Sequence, residues 1–224
     1  MAGLRSIGSG FYFSNLSLRD REQQPFRSLE TLRFDNLPDW EDWLDVRVTR
    51  GDLFPSLKHL SIQRCPELTG NLPTSLPSLI SLHIYKCGLL DFQPDHHEYS
   101  YGNLQTLSIK SSCDSLVTFP LGHFAILDKL DIDNCISLQC LQLSNEHLHG
   151  LNALRSLRIN DCQNLQRLPE QSFLSQKFHV TISNCRGLMA HTDRMIHVLP
   201  QDMTKPDSLA SVEDPGGQVA LNVL

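Results

Sequence analysis

The sequence predicts an α/β solenoid, in which short coils stack and each coil contributes one strand to a parallel sheet. Three observations lead to this fold. Leu accounts for 38 of the 224 residues, a share well above ordinary usage. The motif Leu-x-x-Leu-x-Ile-x-x-Cys recurs along the chain. Its copies stand 22 to 28 residues apart, a spacing that is typical of repeat architectures.

The third apolar position of the motif marks about seven copies of the repeat. Their mean spacing of about 25 residues matches the leucine-rich repeat, whose core reads Leu-x-x-Leu-x-Leu-x-x-Asn/Cys. Within each copy the second Leu and the Ile alternate with polar residues, so both point to one face of a short strand. The expected strands contain Phe34, Ile62, Ile84, Ile109, Ile132, Ile159 and Ile182.

The stacked coils are expected to form a leucine-rich repeat horseshoe with the parallel sheet on its concave face. One strand cannot bury its apolar face alone, so the core must come from stacking neighbouring coils. The return arms contain Pro, as at Leu72-Pro73, Phe119-Pro120 and Leu168-Pro169. Because Pro removes a backbone donor and disfavours helix interiors, we expect mostly irregular loops on the convex face.

The chain divides into three predicted segments. Residues 1–25 form a partial repeat and a loop, and residues 26–190 form the leucine-rich repeats. The motif stops near His191, and the remainder is rich in Pro, Gly and charged residues. Residues 191–224 are therefore predicted to be a flexible polar tail.

Six of the seven Cys fall in the last column of the motif. A small, weakly polar side chain suits the tight buried space where a strand turns into the convex arm. No copy has a second Cys two residues on, so zinc-knuckle spacing is absent. Cys140 lies outside the column, which comprises Cys65, Cys87, Cys113 (displaced by one residue), Cys135, Cys162 and Cys185.

Composition and motifs exclude several functions. The net charge of −6 argues against a general nucleic-acid binder, and no run of about 18 apolar residues could span a membrane. The clusters His96-His97-Glu98 and His147-x-His149 lie in no His-Glu-x-x-His frame, so we interpret them as surface-loop residues and not metal ligands. No Gly-x-Ser-x-Gly elbow is present. The chain is predicted to be non-enzymatic, with no catalytic residues.

The polar strand positions between the apolar columns are the candidate binding residues, because they project from the concave sheet. The middle repeats are basic in these columns and the later repeats are acidic. Such a mixed array on a rigid surface suits protein recognition, while the alternative is a solvated face without a partner. The candidates are Arg64, Tyr85, Lys86, Lys110, Asp131, Asp133 and Arg158.

Trp40 and Trp43 flank Glu41-Asp42 in the loop after the first complete repeat. They could be exposed anchors for a partner, since Trp is favoured at binding hot spots. They could instead pack the loop between the first two repeats. We favour packing.

Three strings resemble the C-terminal leucine-rich repeat region of plant disease-resistance proteins of the coiled-coil class, which are nucleotide-binding leucine-rich-repeat receptors. The resemblance covers roughly residues 3–190. The strings are Phe-Arg-Ser-Leu-Glu-Thr-Leu-Arg-Phe at 26–34, Phe-Pro-Ser-Leu-Lys-His-Leu-Ser-Ile at 54–62 and Leu-Arg-Ser-Leu-Arg-Ile-Asn-Asp-Cys at 154–162.

The resemblance implies a cytoplasmic or nucleo-cytoplasmic module of plant defence. It would sense a pathogen effector or a host protein, or restrain its own nucleotide-binding domain. No Gly-x-x-x-x-Gly-Lys-Ser/Thr occurs, so ADP or ATP would belong to a nucleotide-binding domain outside this chain, and no cofactor is expected here. The alternative is a stand-alone leucine-rich repeat scaffold or adaptor with no immune role.

Overall fold

The main sheet contains one five-residue strand from each coil. A computed structural model describes residues 3–8, 26–43, 53–73, 75–91, 101–143, 153–169, 179–191 and 218–221. Strands are numbered in chain order, and the odd numbers from β1 to β11 belong to the convex arms described below. The main sheet consists of β2 (Thr31–Asp35), β4 (His59–Gln63), β6 (Ser81–Tyr85), β8 (Thr106–Lys110), β10 (Lys129–Asp133), β12 (Ser156–Asn160), β13 (His179–Ser183) and β14 (Gln218–Leu221).

Strands β2 to β13 of this sheet are parallel and align residue for residue. Ile132 of β10, for example, pairs with Ile109 of β8 and Ile159 of β12. All three Ile side chains are fully buried. The alternating residues that the repeat predicted to be apolar therefore form continuous columns in the core, and the predicted solenoid fold is confirmed.

Each parallel strand of the main sheet ends in the same backbone turn. The residue after the strand has a left-handed φ of 47° to 57°, a conformation that Asn and Asp tolerate better than most L-residues. At six of the seven turns its N–H donates to the last carbonyl of the next strand, as Lys86 does to Lys110 at 3.0 Å. These residues are Asn36, Arg64, Lys86, Ser111, Asn134, Asp161 and Asn184.

The cysteine column lies just beyond this turn and is buried. The Cys65 thiol donates to the Gln63 carbonyl at 3.3 Å, and the Cys162 thiol donates to the Asn160 carbonyl at 3.4 Å. Each thiol thus bonds the last carbonyl of its own strand. This contact gives the column a structural role, as the sequence predicted.

Ser112 takes the side-chain position of this column in the fourth copy of the repeat, one residue before Cys113, which the sequence assigned to the column as a displaced member. The Ser112 hydroxyl donates to the Lys110 carbonyl at 2.7 Å, as the thiols do in their own coils. It also accepts a hydrogen bond from the Cys87 backbone N–H at 3.0 Å. Ser112 is fully buried, and Cys113 is the extra residue that follows it.

Replacing Ser112 by Ala should lower the free energy of unfolding by about 1–3 kcal/mol, because the buried Cys87 N–H would lose its acceptor. Ser112→Cys should cost less, since a thiol serves this column in the neighbouring coils. Urea unfolding of both variants measures the difference. The control is Ser115→Ala at an exposed position, and equal unfolding midpoints for the two Ala variants would contradict the prediction.

The convex arms are more regular than the predicted loops. Short parallel strands join successive arms, because two or three residues suffice for a ladder but are too few to show a sequence period. Helices are short, as expected: a 3-10 helix at Leu121–His123 and α1 at Arg186–His191. One convex sheet contains β1 (Ser6–Ile7), β3 (Asp42–Trp43), β5 (Thr69–Asn71) and β7 (Leu89–Asp91), and another contains β9 (Thr118–Phe119) and β11 (Cys140–Leu141).

The segment predicted to be a polar tail contains β14, which pairs antiparallel with β13. No sequence pattern predicted this strand. Residues 192–217 and 222–224 lie outside the described part of the chain, so the predicted segment boundaries stay predictions. Within the described residues, no helix is both long and apolar enough to cross a membrane.

Trp40 and Trp43 pack the first loop, as predicted, and do not form an exposed anchor. Trp40 is fully buried and Trp43 is 5% exposed. The ring centroids of Phe34 and Trp40 are 4.7 Å apart, and those of the two Trp are 5.6 Å apart. The Trp40 indole Nε1 donates to the Asp42 carbonyl at 2.7 Å. Phe54 extends this aromatic cluster towards the next coil.

Candidate functional site

A groove of about 490 Å³ crosses the outer face of the main sheet from Gln63 of β4 to β12. Its walls are the outward-facing side chains of these five strands, held in register by the backbone ladder. Because the strand backbones fix where each side chain begins, the groove is formed before any partner arrives.

Four of the seven candidate binding residues line this groove, and three do not. The four are Tyr85, Lys110, Asp131 and Arg158.

Of the other three, Asp133 is the last residue of β10, and Arg64 and Lys86 directly follow β4 and β6. Arg64 forms an ion pair with Asp35 at 2.6 Å. The Lys86 ammonium lies 5.2 Å from the centroid of the Tyr85 ring. Asp133 accepts a hydrogen bond from the Asn160 amide at 2.9 Å. All three side chains therefore have partners within the protein.

The sequence-based selection missed several residues that line the groove. His83 was in a recognised column but was not chosen. Thr106, Lys129 and Ser156 occupy the first position of their strands, a column that was not considered. They stand two residues before the middle column, so the alternation of a strand places them on the same face. That signal was available in the sequence.

The groove is locally basic although the whole chain carries a net charge of −6. Lys110 and Asp131 form an ion pair at 2.7 Å. Lys129 and Arg158 are exposed, and no carboxylate of the described residues lies within ion-pair distance of either. Partial desolvation, with the nearby charges of His59 and Lys110, lowers the pKa of His83, which favours the neutral form of its imidazole. Three cations against one carboxylate leave two uncompensated positive charges.

Two acidic side chains outside the groove lie at strand ends: Asp133 ends β10, and Asp161 directly follows β12. The Asn160 amide donates to Asp133 and to Asp161, at 2.9 and 2.7 Å. The Ser183 hydroxyl donates to the Asn160 side-chain oxygen at 2.6 Å. Charge therefore changes along β10 and β12, from basic at Lys129 and Arg158 to acidic at Asp133 and Asp161, whereas Lys110 places a positive charge at the end of β8.

Protonation differs along the buried cysteine column, because a hydrogen bond with the Cys87 thiol lowers the pKa of Cys65 to about 7 whereas the pKa of Cys162 is raised. A hydrogen bond with the Cys135 thiol, opposed by one with Cys185, acts together with burial to raise the pKa of Cys162 to about 12. A thiol that stays protonated at neutral pH is a poor nucleophile. Cys140, outside the column, contacts the Thr118 hydroxyl at 3.3 Å.

The described part of the chain contains no candidate metal site. No group of three or more His, Cys, Asp or Glu in the described part of the chain is placed to hold a metal ion. The two predicted histidine clusters, at 96–98 and 147–149, lie outside the described residues.

The in-register strands, the buried Leu and Ile columns and the polar outer groove define a leucine-rich repeat protein. No protein-family model matches the chain. Over 188 residues, or 84% of its length, the chain is 78% identical to the disease resistance RPP13-like protein 1 of Arabidopsis thaliana. Over 86 residues it is 37% identical to a second disease resistance protein of that plant. The resemblance to disease-resistance proteins is thus confirmed.

The chain spans only part of these relatives, with matches that cover 18% of the first and 6% of the second. A solved structure, the leucine-rich repeat domain of the type III effector XopL, is also similar. It matches 70% of this chain and 67% of that chain at 24% identity with a TM-score of 0.40. The assignment of the fold rests on the strand register within this chain.

Proposed function

We propose that the chain is the protein-recognition module of a plant intracellular immune receptor and that it binds its partner through the groove. The observation that carries this proposal is the groove itself, on a chain 78% identical to a disease resistance protein over most of its length. The partner is a pathogen effector, a host protein, or the nucleotide-binding domain of the same receptor. The module acts in the cytoplasm or in both nucleus and cytoplasm, without catalysis and without a cofactor of its own.

The rigidity of the sheet supports a recognition role. Binding costs less conformational entropy when the contact residues are already fixed. Here all five residues of β10 pair with residues of both neighbouring strands, β8 and β12. Tyr85 and Arg158 belong to the residue types that most often dominate binding energy. They lie on opposite sides of the groove, on β6 and β12.

Replacing Tyr85 and Arg158 together by Ala should reduce the capture of the bound protein by about tenfold or more, since each is a potential hot spot. The tagged chain would be purified from plant tissue with and without the pathogen, and the co-purifying proteins quantified by mass spectrometry. The matched control is Arg167→Ala, an exposed position on a convex arm.

The two variants should unfold at the same temperature as the parent chain. If the groove variant stays folded and retains every partner, the groove is not the binding surface. If partners are lost but the hypersensitive response of the plant is unchanged, the module serves as a scaffold and not as a receptor component.

A further inference from the structure

We propose that the groove binds an acidic segment of the partner protein, with an Asp or Glu carboxylate held between Lys129 and Arg158. This inference rests on the proposed function, because it assumes that the groove is the binding surface. It adds the chemistry of the partner, which neither the fold nor the relatives specify.

Lys129 and Arg158 are diagonal neighbours on adjacent strands. Lys129 pairs in register with Ser156, and Arg158 stands two residues further along β12. With strands about 4.8 Å apart and a rise of about 3.3 Å per residue, their Cα atoms are about 8 Å apart. Both side chains are exposed. One carboxylate, with two oxygens, can accept charge-assisted hydrogen bonds from both.

The neighbouring carboxylate of Asp131 does not neutralise this pair of cations. Asp131 lies in register beside Arg158, yet its Oδ2 is bound to the Lys110 ammonium at 2.7 Å. Its Oδ1 is buried and has no hydrogen-bond partner among the described residues, so an acidic ligand does not meet it directly. Lys110 offsets the charge of Asp131, and the positive charge of Lys129 and Arg158 stays available.

A basic segment would find no comparable site in this groove. The carboxylates of Asp133 and Asp161 already accept hydrogen bonds from the Asn160 amide, and they do not line the groove. A long polyanion such as RNA would extend beyond the groove and be repelled by the rest of a chain with a net charge of −6. A short acidic peptide stays within the groove, where salt screens the charges that lie more than about 8 Å away. The local charge therefore favours a short acidic stretch of protein.

The dimensions of the groove limit that stretch to a few residues. From β4 to β12 there are four strand spacings, or about 19 Å, which about six extended residues cover. Towards the β4 end the Tyr85 ring of β6 offers an aromatic face, with the Lys86 ammonium near it. The ligand would place its carboxylate over β10 and β12 and another side chain against Tyr85.

The test uses three fluorescein-labelled ten-residue peptides with a central block of four Glu, four Gln or four Lys between Gly-Ser flanks. Fluorescence anisotropy at 20 and 150 mM salt gives their affinities for the chain. We expect the Glu peptide to bind about tenfold or more tightly than the Gln peptide at low salt, with a smaller ratio at high salt. Equal binding of the Glu and Gln peptides would overturn the proposal.

Two variants assign the effect to the groove. Lys129→Glu with Arg158→Glu should lose the preference for Glu and gain one for Lys, while the isosteric Asp133→Asn should leave the preference unchanged. If the double variant still prefers Glu, the site lies elsewhere. A fluorescein-labelled oligothymidylate of ten nucleotides is the fourth probe. If it binds more tightly than the Glu peptide at 150 mM salt, the ligand of the groove is a nucleic acid and the proposal of an acidic protein segment is overturned.

The results of the peptide experiment and of the partner-capture experiment can be distinguished. Tyr85→Ala with Arg158→Ala could abolish partner capture while the Glu peptide shows no preference. The groove would then be the recognition surface, and its partner would not be acidic. If partner capture is also unaffected, both proposals fail.

Discussion

Replacing Trp40 by Ala should lower the free energy of unfolding by about 3–5 kcal/mol, the range for large aromatic residues removed from a core. Trp40 is fully buried, and its ring contacts Phe34 and Trp43 at centroid distances of 4.7 and 5.6 Å. The change would leave a cavity that these fixed rings cannot fill. Thermal unfolding, monitored by circular dichroism, would measure this decrease in stability.

The control for this prediction is Trp40→Phe. Phe keeps an aromatic ring in the cluster but loses the hydrogen bond from the indole Nε1 to the Asp42 carbonyl. The free energy of unfolding should therefore decrease clearly less than in the Ala variant. Because the cluster joins the first loop to β2 and to Phe54 of the next coil, the Ala variant should open the early coils first. Hydrogen exchange that is unchanged in residues 26–43 would contradict this.

Replacing Gly187 by Ala should destabilise the chain by about 1–3 kcal/mol, as overpacking does in a tight interior. A Cβ at this position would lie 2.7 Å from the Leu165 carbonyl oxygen and 2.9 Å from that of Gln163. Both are backbone atoms of the preceding coil, so they cannot move aside as a flexible side chain would. The Gly187 N–H also donates to the Gln163 carbonyl at 2.9 Å, which holds α1 close to that arm.

Gly102→Ala provides the matched control, because nothing lies within 4 Å of its added Cβ. Urea unfolding should therefore separate two identical chemical changes, with a lower midpoint for Gly187→Ala and an unchanged one for Gly102→Ala. Equal midpoints would show that α1 can shift away from the Leu165 carbonyl without cost.

The sequence predicted the strands well because burial in this fold follows a short, strict period. Leu130 and Ile132 alternate with charged residues, and this pattern is sufficient to place β10 and its partners. The sequence did not identify Ser112 as a member of the cysteine column. A hydroxyl can make the same carbonyl contact as a thiol, but the repeat motif specifies Cys at this position. Strands of two residues, such as β9, carry no period at all.

The candidate site was only partly predictable for a different reason. Alternation identifies which side chains face outward, and Tyr85 and Arg158 were found in that way. Which of these side chains contact one another depends on the register between strands whose coils are more than 20 residues apart in the sequence. The ion pair of Lys110 with Asp131, and the absence of one at Lys129 among the described residues, follow from that register and not from any local pattern.

The repeated left-handed turn makes each coil an exchangeable unit. The same N–H to carbonyl bond joins the turn of one coil to the strand of the next, as at Lys86 and Lys110, whatever the length of the arm between them. Steps of 22 and 27 residues, from Ile62 to Ile84 and from Ile132 to Ile159, give strands in equal register. A gene duplication or deletion of one coil would therefore lengthen or shorten the groove by about 4.8 Å and leave the remaining contact residues in place.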